Sequence, residues 1–183
     1  MKLNFENITI SGGVAVGKNT LKDNLRPYLE PLGWKFTSGG QILRDFTKEY
    51  VQPLASLADD EFHRKLDQRT LDLLTREKHY VIEAWLSGFV ARKLENTLRV
   101  LLVCEDDALR IDRVANRDKL SIQQAKDFIY QREHDNFTEW KRIYGDYDFW
   151  NRDYYHLVID TYSHGQVETV GVVLEKLGYN TAA

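Results

Sequence analysis

The sequence predicts an α/β protein: an open, mostly parallel sheet of five strands covered by helices on both faces. Two observations carry that prediction. Short apolar runs of strand length alternate with longer segments whose apolar residues recur at helical spacing, from Ile8 to Gly178. The first run, Ile8-Thr9-Ile10, leads straight into Ser11-Gly12-Gly13-Val14-Ala15-Val16-Gly17-Lys18-Asn19-Thr20, the G-x-x-x-x-G-K spacing of a phosphate-binding loop between a strand and a helix. In an open sheet of this kind, ligands bind beyond the carboxyl ends of the strands.

The elements follow in order. After the loop, Leu21, Leu25, Leu29 and Leu32 stripe a helix that Gly33 stops. Trp34-Lys35-Phe36-Thr37 is a short strand, and Ser38-Gly39-Gly40 turns the chain into a helix from Ile42 to Tyr50, ended before Pro53. Residues from about Asp59 to Arg76 carry Phe62, Leu66, Leu71 and Leu74 among charges, as a surface helix does. Tyr80-Val81-Ile82 is the third strand, ending in Glu83. Leu98 to Cys104 is an unbroken apolar run, the mark of a parallel strand buried on both faces. A helix from about Asp106 to Arg117 comes next. Ser121-Ile122-Gln123-Gln124 is a capping box that opens a long charged helix to about Tyr144. Leu157-Val158-Ile159 is the last strand, and Val167, Val170, Leu174 and Leu177 stripe the final helix up to Gly178.

Bulk properties narrow the function classes. The 183 residues suit one domain, 1–183, with a full core, and 43% hydrophobic with 29% charged residues is a soluble composition. No basic and apolar leader precedes the first strand, so a cytoplasmic location is expected, with no membrane partner. The formal charge of −3 argues against nucleic acid, whose affinity comes mostly from neutralised phosphates. The single cysteine, Cys104, falls within an apolar run and reads as a buried strand residue. The five histidines show no dense ligand spacing, so no transition-metal site is expected.

Chemistry-bearing residues gather at the strand ends. Glycines let the loop amides of residues 12–17 wrap an anion, and the helix start adds unpaired N–H donors, with Lys18 reaching the phosphates. Ser38, Gly39 and Arg44 follow the second strand and suit a second anionic group, because a guanidinium fork matches phosphate geometry. Glu83 ends the third strand at the same height. Arg110, Arg113 and Arg117 fall on one side of a helix, where like charges repel unless an anion relieves them. Arg132 and Arg142, on the next helix, are placed to close over that anion. The alternative for these arginines is a solvated face beside Asp112, Asp118 and Glu133.

With these residues in place the chain resembles the nucleoside monophosphate kinases, most closely the short cytidylate kinases of archaeal type. The resemblance runs from Ile8 to Gly178 through the loop, Ser38-Gly39-Gly40-Gln41-Ile42-Leu43-Arg44, the Asp67/Arg69 pair, and Val81-Ile82-Glu83-Ala84-Trp85-Leu86-Ser87-Gly88. Arg113 to Asp118, Arg132-Glu133, Ile143-Tyr144-Gly145-Asp146 and Leu157 to Thr161 complete it. It implies a three-layer α/β/α P-loop NTPase fold, with an acceptor-binding segment at 38–76 and a lid with long helices at about 110–145. It also implies ATP as co-substrate with Mg²⁺, a nucleoside monophosphate acceptor, and a monomer. Gly12, Gly13, Val14, Ala15, Val16, Gly17, Lys18, Asn19 and Thr20 would hold ATP, and Thr20 would reach Mg²⁺ directly or through water. Ser38, Gly39, Arg44, Asp67, Arg69 and Glu83 would hold the acceptor. Lys18, Arg113, Arg117, Arg132 and Arg142 would be the catalytic cations.

The chain departs from the family pattern at three places. Asn19 stands where many such loops have a hydroxyl, Trp85 stands for an arginine, and Glu139-Trp140 stands for Arg-Tyr. Arg92 and Arg142 are the candidate replacement cations. These departures keep two alternatives open: a catalytically weak, regulatory nucleotide-binding protein, and a P-loop kinase of another small metabolite.

Overall fold

The computed structural model describes residues 3–50 and 60–179. Five strands, β1 (Asn7–Ser11), β2 (Lys35–Ser38), β3 (Tyr80–Glu83), β4 (Thr97–Val103) and β5 (Leu157–Asp160), form one sheet in the order β2-β3-β1-β4-β5. Every pairing is parallel, so the expected "mostly parallel" sheet is wholly so. The register sets Ile10 beside both Glu83 and Val100, Ser38 beside Glu83, and Val103 beside Asp160. All five carboxyl ends therefore lie along one edge, and the loop after central β1 opens in its middle.

Among the described residues, the helices between the strands are α1 (Lys18–Leu29), α2 (Gly39–Tyr50), α3 (Asp60–Arg76), α4 (Ser87–Val90), α5 (Asp107–Asp118) and α6 (Ile122–Tyr144), and α7 (Gln166–Leu177) follows the last strand. Strand alternation decides which helices cover which face. Ile8, Ile10, Val81, Leu98, Val100 and Leu102 pack with Leu21, Leu25 and Leu29 of α1 and Val170, Leu174 and Leu177 of α7. On the opposite face Ile82 packs with Ile42, Leu74 and Ala91. The polar residues of β1 also point there: buried Asn7 donates to the Leu74 and Glu77 carbonyls at 3.0 and 3.2 Å and accepts from the Tyr80 amide at 2.9 Å. A third cluster, Leu86, Phe89, Trp140 and Phe149 with Trp85, Phe137 and Trp150, fastens α6 to the end of β3.

Several boundaries differ from those expected. The first helix stops at Leu29 and continues as a 3₁₀ turn, Glu30–Leu32, before Gly33 at φ 81°. No turn separates β2 from α2, because the Ser38 hydroxyl accepts from the Gln41 amide at 3.2 Å and caps a helix that begins at Gly39 rather than Ile42. Strand β4 starts one residue early and ends at Val103, leaving Cys104 buried just beyond it. Pro53 and Asp59 lie outside the described residues. Helix α4 is too short for apolar periodicity to reveal. Among the described residues no helix is long and apolar enough to cross a membrane.

Candidate active site

The phosphate-binding loop is built by backbone conformations that its sequence permits. Gly12 has φ 139°, Ala15 φ 59° and Gly17 φ 90°, and α1 begins directly after Gly17 with no side chain capping its first amides. Uncapped amides at a helix start, together with the helix dipole, are an anion-binding arrangement. The loop is tied down from below: the Gly12 amide donates to the Trp85 carbonyl at 3.3 Å, and the Ser11 hydroxyl accepts from the Gly88 amide at 2.8 Å. These contacts fix Trp85 next to the loop.

Lys18 bends back across the loop, where its Nζ donates to the Gly13 carbonyl at 2.6 Å, stands 4.0 Å from Glu83 and lies 5.2 Å from the Trp85 ring. Burial is the main cause that pushes its pKa down to about 8, with Glu83 and Glu133 opposing and Arg132 and Arg110 adding to the fall. Such a lysine is a positive charge deprived of water, and a phosphate beside it would restore what burial removed. The Asn19 side chain accepts from Lys22 at 3.1 Å and lies along the cavity beside the loop.

A cavity of about 610 Å³ adjoins the loop, lined by residues Ala15 to Leu21 and by Glu83, Arg113, Arg117, Thr161, Tyr162 and His164 among others. Arg113 holds its far wall, donating to the Ala15 carbonyl at 3.0 Å and to the Thr161 hydroxyl and carbonyl at 3.1 Å. Below it Asp160 is held down to about 2: burial acts against this, and hydrogen bonds from the Glu105 amide, the Ser163 hydroxyl and the Tyr162 and Ser163 amides prevail. Tyr162 and His164 were not singled out from the sequence, although their place just past β5 follows the same carboxyl-end rule that pointed to Glu83.

The five arginines expected to form one clamp are spread out in this structure. Arg113 and Arg117 line the cavity, Arg117 also pairing with Asp118 at 2.6 Å. Arg132 stands 5.9 Å from the Trp85 ring and 5.8 Å from that of Phe128, on the α6 side. Arg142 pairs with Asp60 at the start of α3. Arg110 pairs with Glu133, so Glu133 is not part of a solvated face: its side chain is 20% exposed and touches the loop.

On the acceptor side, Ser38 and Glu83 are neighbours across β2 and β3, and Gly39 lies so close to Ala84 that a Cβ there would stand 2.8 Å from the alanine's. Arg44, exposed on α2, donates to Gln41 at 2.8 Å. Asp67 and Arg69 are two residues apart on α3 and so face different sides. Asp67 is covered by α6 and accepts from the Tyr144 hydroxyl, while Arg69 is exposed. Burial drives the Asp67 carboxyl up to about 6, with Tyr144, His63 and Arg92 opposing. Two of the departures meet: Trp85 packs on Trp140 edge to face at 5.6 Å, and Glu139, beside Trp140, stands 3.1 Å from His63. Arg92 stacks on Phe89 at 4.0 Å and donates to its carbonyl at 2.8 Å.

Comparison with known proteins bears on the family and the fold. The family model described as cytidylate kinase-like matches residues 34–163. A cytidylate kinase of Thermococcus sibiricus is 32% identical over 163 residues, covering 86% of this chain and 80% of the relative. Among solved structures, an uncharacterized protein from Eubacterium ventriosum covers 96% of this chain and 99% of its own, with a TM-score of 0.72 at 12% identity. The shikimate kinase of Acinetobacter baumannii, solved with shikimate, covers 98% of this chain and 96% of its own, with a TM-score of 0.55 at 18% identity. The last two share the fold.

Proposed function

Because the chain belongs to the cytidylate kinase-like family, it is a phosphotransferase of the nucleoside monophosphate kinase type, and we propose that it phosphorylates CMP or dCMP from ATP. The observation that carries this reading is the junction of Lys18 and Glu83 at 4.0 Å, where the phosphate-binding loop meets the end of β3. ATP enters the cavity on the Arg113 side with its phosphates along the loop. The acceptor enters over Ser38, Gly39 and Glu83, with Arg44, Asp67 and Arg69 around it. An acceptor phosphate oxygen then attacks the γ-phosphorus in line, the bond to the β,γ-bridging oxygen breaks, and ADP leaves.

The protein's part is alignment and charge. Lys18 and the loop amides hold the β- and γ-phosphates. Arg113, Arg117, Arg132 and Arg142 are assigned to the transition state, which requires α5 and α6 to draw in and exclude water. Thr20 and Glu83 line one cavity, and a hydroxyl with a carboxylate is the kind of hard oxygen set that Mg²⁺ takes. Bound there, Mg²⁺ would neutralise phosphate charge. The same reading has the enzyme act as a monomer in the cytoplasm.

Lys18 gives this reading a pH signature. It is charged below about 8 and loses its proton above, and adjoining phosphates raise its pKa again. ATP binding is therefore expected to take up close to one proton at pH 9 and almost none at pH 7, with affinity falling as pH rises through about 8. Calorimetry in buffers of different ionisation enthalpy measures this directly. Proton release at pH 9 contradicts it.

One observation favours a second reading, transfer to another small phosphorylated or hydroxylated metabolite. Trp85, not a cation, stands at the end of β3 between Lys18 and Arg132. ADP release with CMP, dCMP, UMP, AMP and GMP separates the two. The first reading expects CMP or dCMP to raise the rate most, and no stimulation by any monophosphate overturns it.

A further inference from the structure

Helix α6 reaches back to the phosphate-binding loop and puts a carboxylate on it. Glu133 Oε1 accepts a hydrogen bond from the Val14 amide at 3.1 Å and another from Arg110 Nη2. Arg110 Nε in turn donates to the Val14 carbonyl at 3.2 Å, so the pair grips both polar groups of one loop residue. Both side chains are largely buried, at 20% and 14% exposure. The carboxylate presses closely on the loop, since a Cβ at Gly13 would stand only 2.5 Å from Glu133 Oε1 and 3.1 Å from the Trp150 ring. It is also close enough to Lys18 to raise the pKa of that ammonium.

An anion on a backbone amide of this loop, partnered by an arginine and near the loop lysine, has the contacts of a phosphate oxygen. We propose that Glu133 is an intramolecular stand-in for phosphate: it holds the Val14 amide and Arg110 until the polyphosphate of ATP displaces it. Two like charges at one amide repel strongly away from water, so carboxylate and polyphosphate exclude each other. Displacement frees Arg110 beside the transferred group and releases α6 from the loop. The position of the lid helix is thereby coupled to occupancy of the loop, and apparent ATP affinity is reduced by the fraction of molecules in which Glu133 sits there.

This inference rests on the reading that the loop binds the polyphosphate of ATP. Glu133→Gln removes the charge at nearly constant volume, and Glu133→Ala removes the contact. By calorimetry, Glu133→Gln is expected to bind ATP and ADP about tenfold more tightly than wild type, with adenosine unchanged because it carries no phosphate. In hydrogen exchange without added nucleotide, the Val14 amide is expected to exchange at least about tenfold faster in Glu133→Ala. Unchanged or weaker ATP binding by folded Glu133→Gln overturns the inference and leaves the proposed function standing. Tighter ATP binding with unchanged Val14 exchange reduces Glu133 to a distant charge and also overturns it. ATP binding by neither protein overturns the proposed function itself, and the inference with it.

Discussion

Lys18→Ala is expected to lower kcat by roughly a hundredfold to a thousandfold while the fold survives. The ammonium is held by the Gly13 carbonyl at 2.6 Å and by Glu83 at 4.0 Å, at the point where the γ-phosphate is expected to leave ATP. Charge there counts for more than in water, because burial has already stripped the group of solvent, as its pKa of about 8 reflects. That same burial protects the fold from the substitution. The folded pKa lies below the usual lysine value of 10.5, so holding Lys18 charged opposes folding in full below about 8. Removing it at pH 7 relieves that penalty and offsets the lost packing. Steady-state kinetics beside a thermal melt checks both halves: a large fall in kcat with a similar Tm is expected. A Tm collapse of the same variant, or kcat within a few fold of wild type, contradicts the account.

Gly12→Ala is expected to do the opposite, striking the fold first. Gly12 sits at φ 139°, a conformation that side chains rarely adopt, and a Cβ there would fall inside contact distance of the Leu102 carbonyl oxygen and 2.8 Å from Val16 Cγ2. The first obstacle is β4 backbone and the second a buried side chain of the loop, so neither can retreat cheaply. Backbone strain and overpacking of about 1–3 kcal/mol each give a loss of about 2–6 kcal/mol. Urea unfolding measures it. A loss below about 1 kcal/mol means that the loop relaxes around the methyl group and that its geometry is not as rigid as described.

The two glycines that matter most to the site show what the sequence makes legible. Gly12 and Gly17 could be read from spacing alone, because the constraint on each is local: a positive φ within a few residues of the strand and helix they join. Strands β3 and β4 were legible for the same reason, as was the capping box at Ser121 and Gln124. Glu133 was not. Its partner Val14 is 119 residues away, and on α6 it is spaced like any other charge of a solvated face. Nothing in helical periodicity distinguishes a carboxylate that meets water from one that meets a backbone amide of another element.

Trp85 and Trp140 fall between these cases. Each could be marked as unusual in the sequence, yet that they touch, at 5.6 Å, depends on how α6 crosses the end of β3. The arginines show the same limit from the other side. Spacing correctly puts Arg110, Arg113 and Arg117 on neighbouring turns of α5, but partners on other elements decide where each guanidinium goes: Glu133 for the first, Thr161 for the second.

The measurement that tests the central claim most directly is identification of the product by ³¹P NMR with ATP, Mg²⁺ and CMP. The account predicts CDP and ADP formed one for one, with both lost in Lys18→Ala. ADP accompanied by inorganic phosphate and no CDP, or no turnover by the folded wild-type protein, would contradict it.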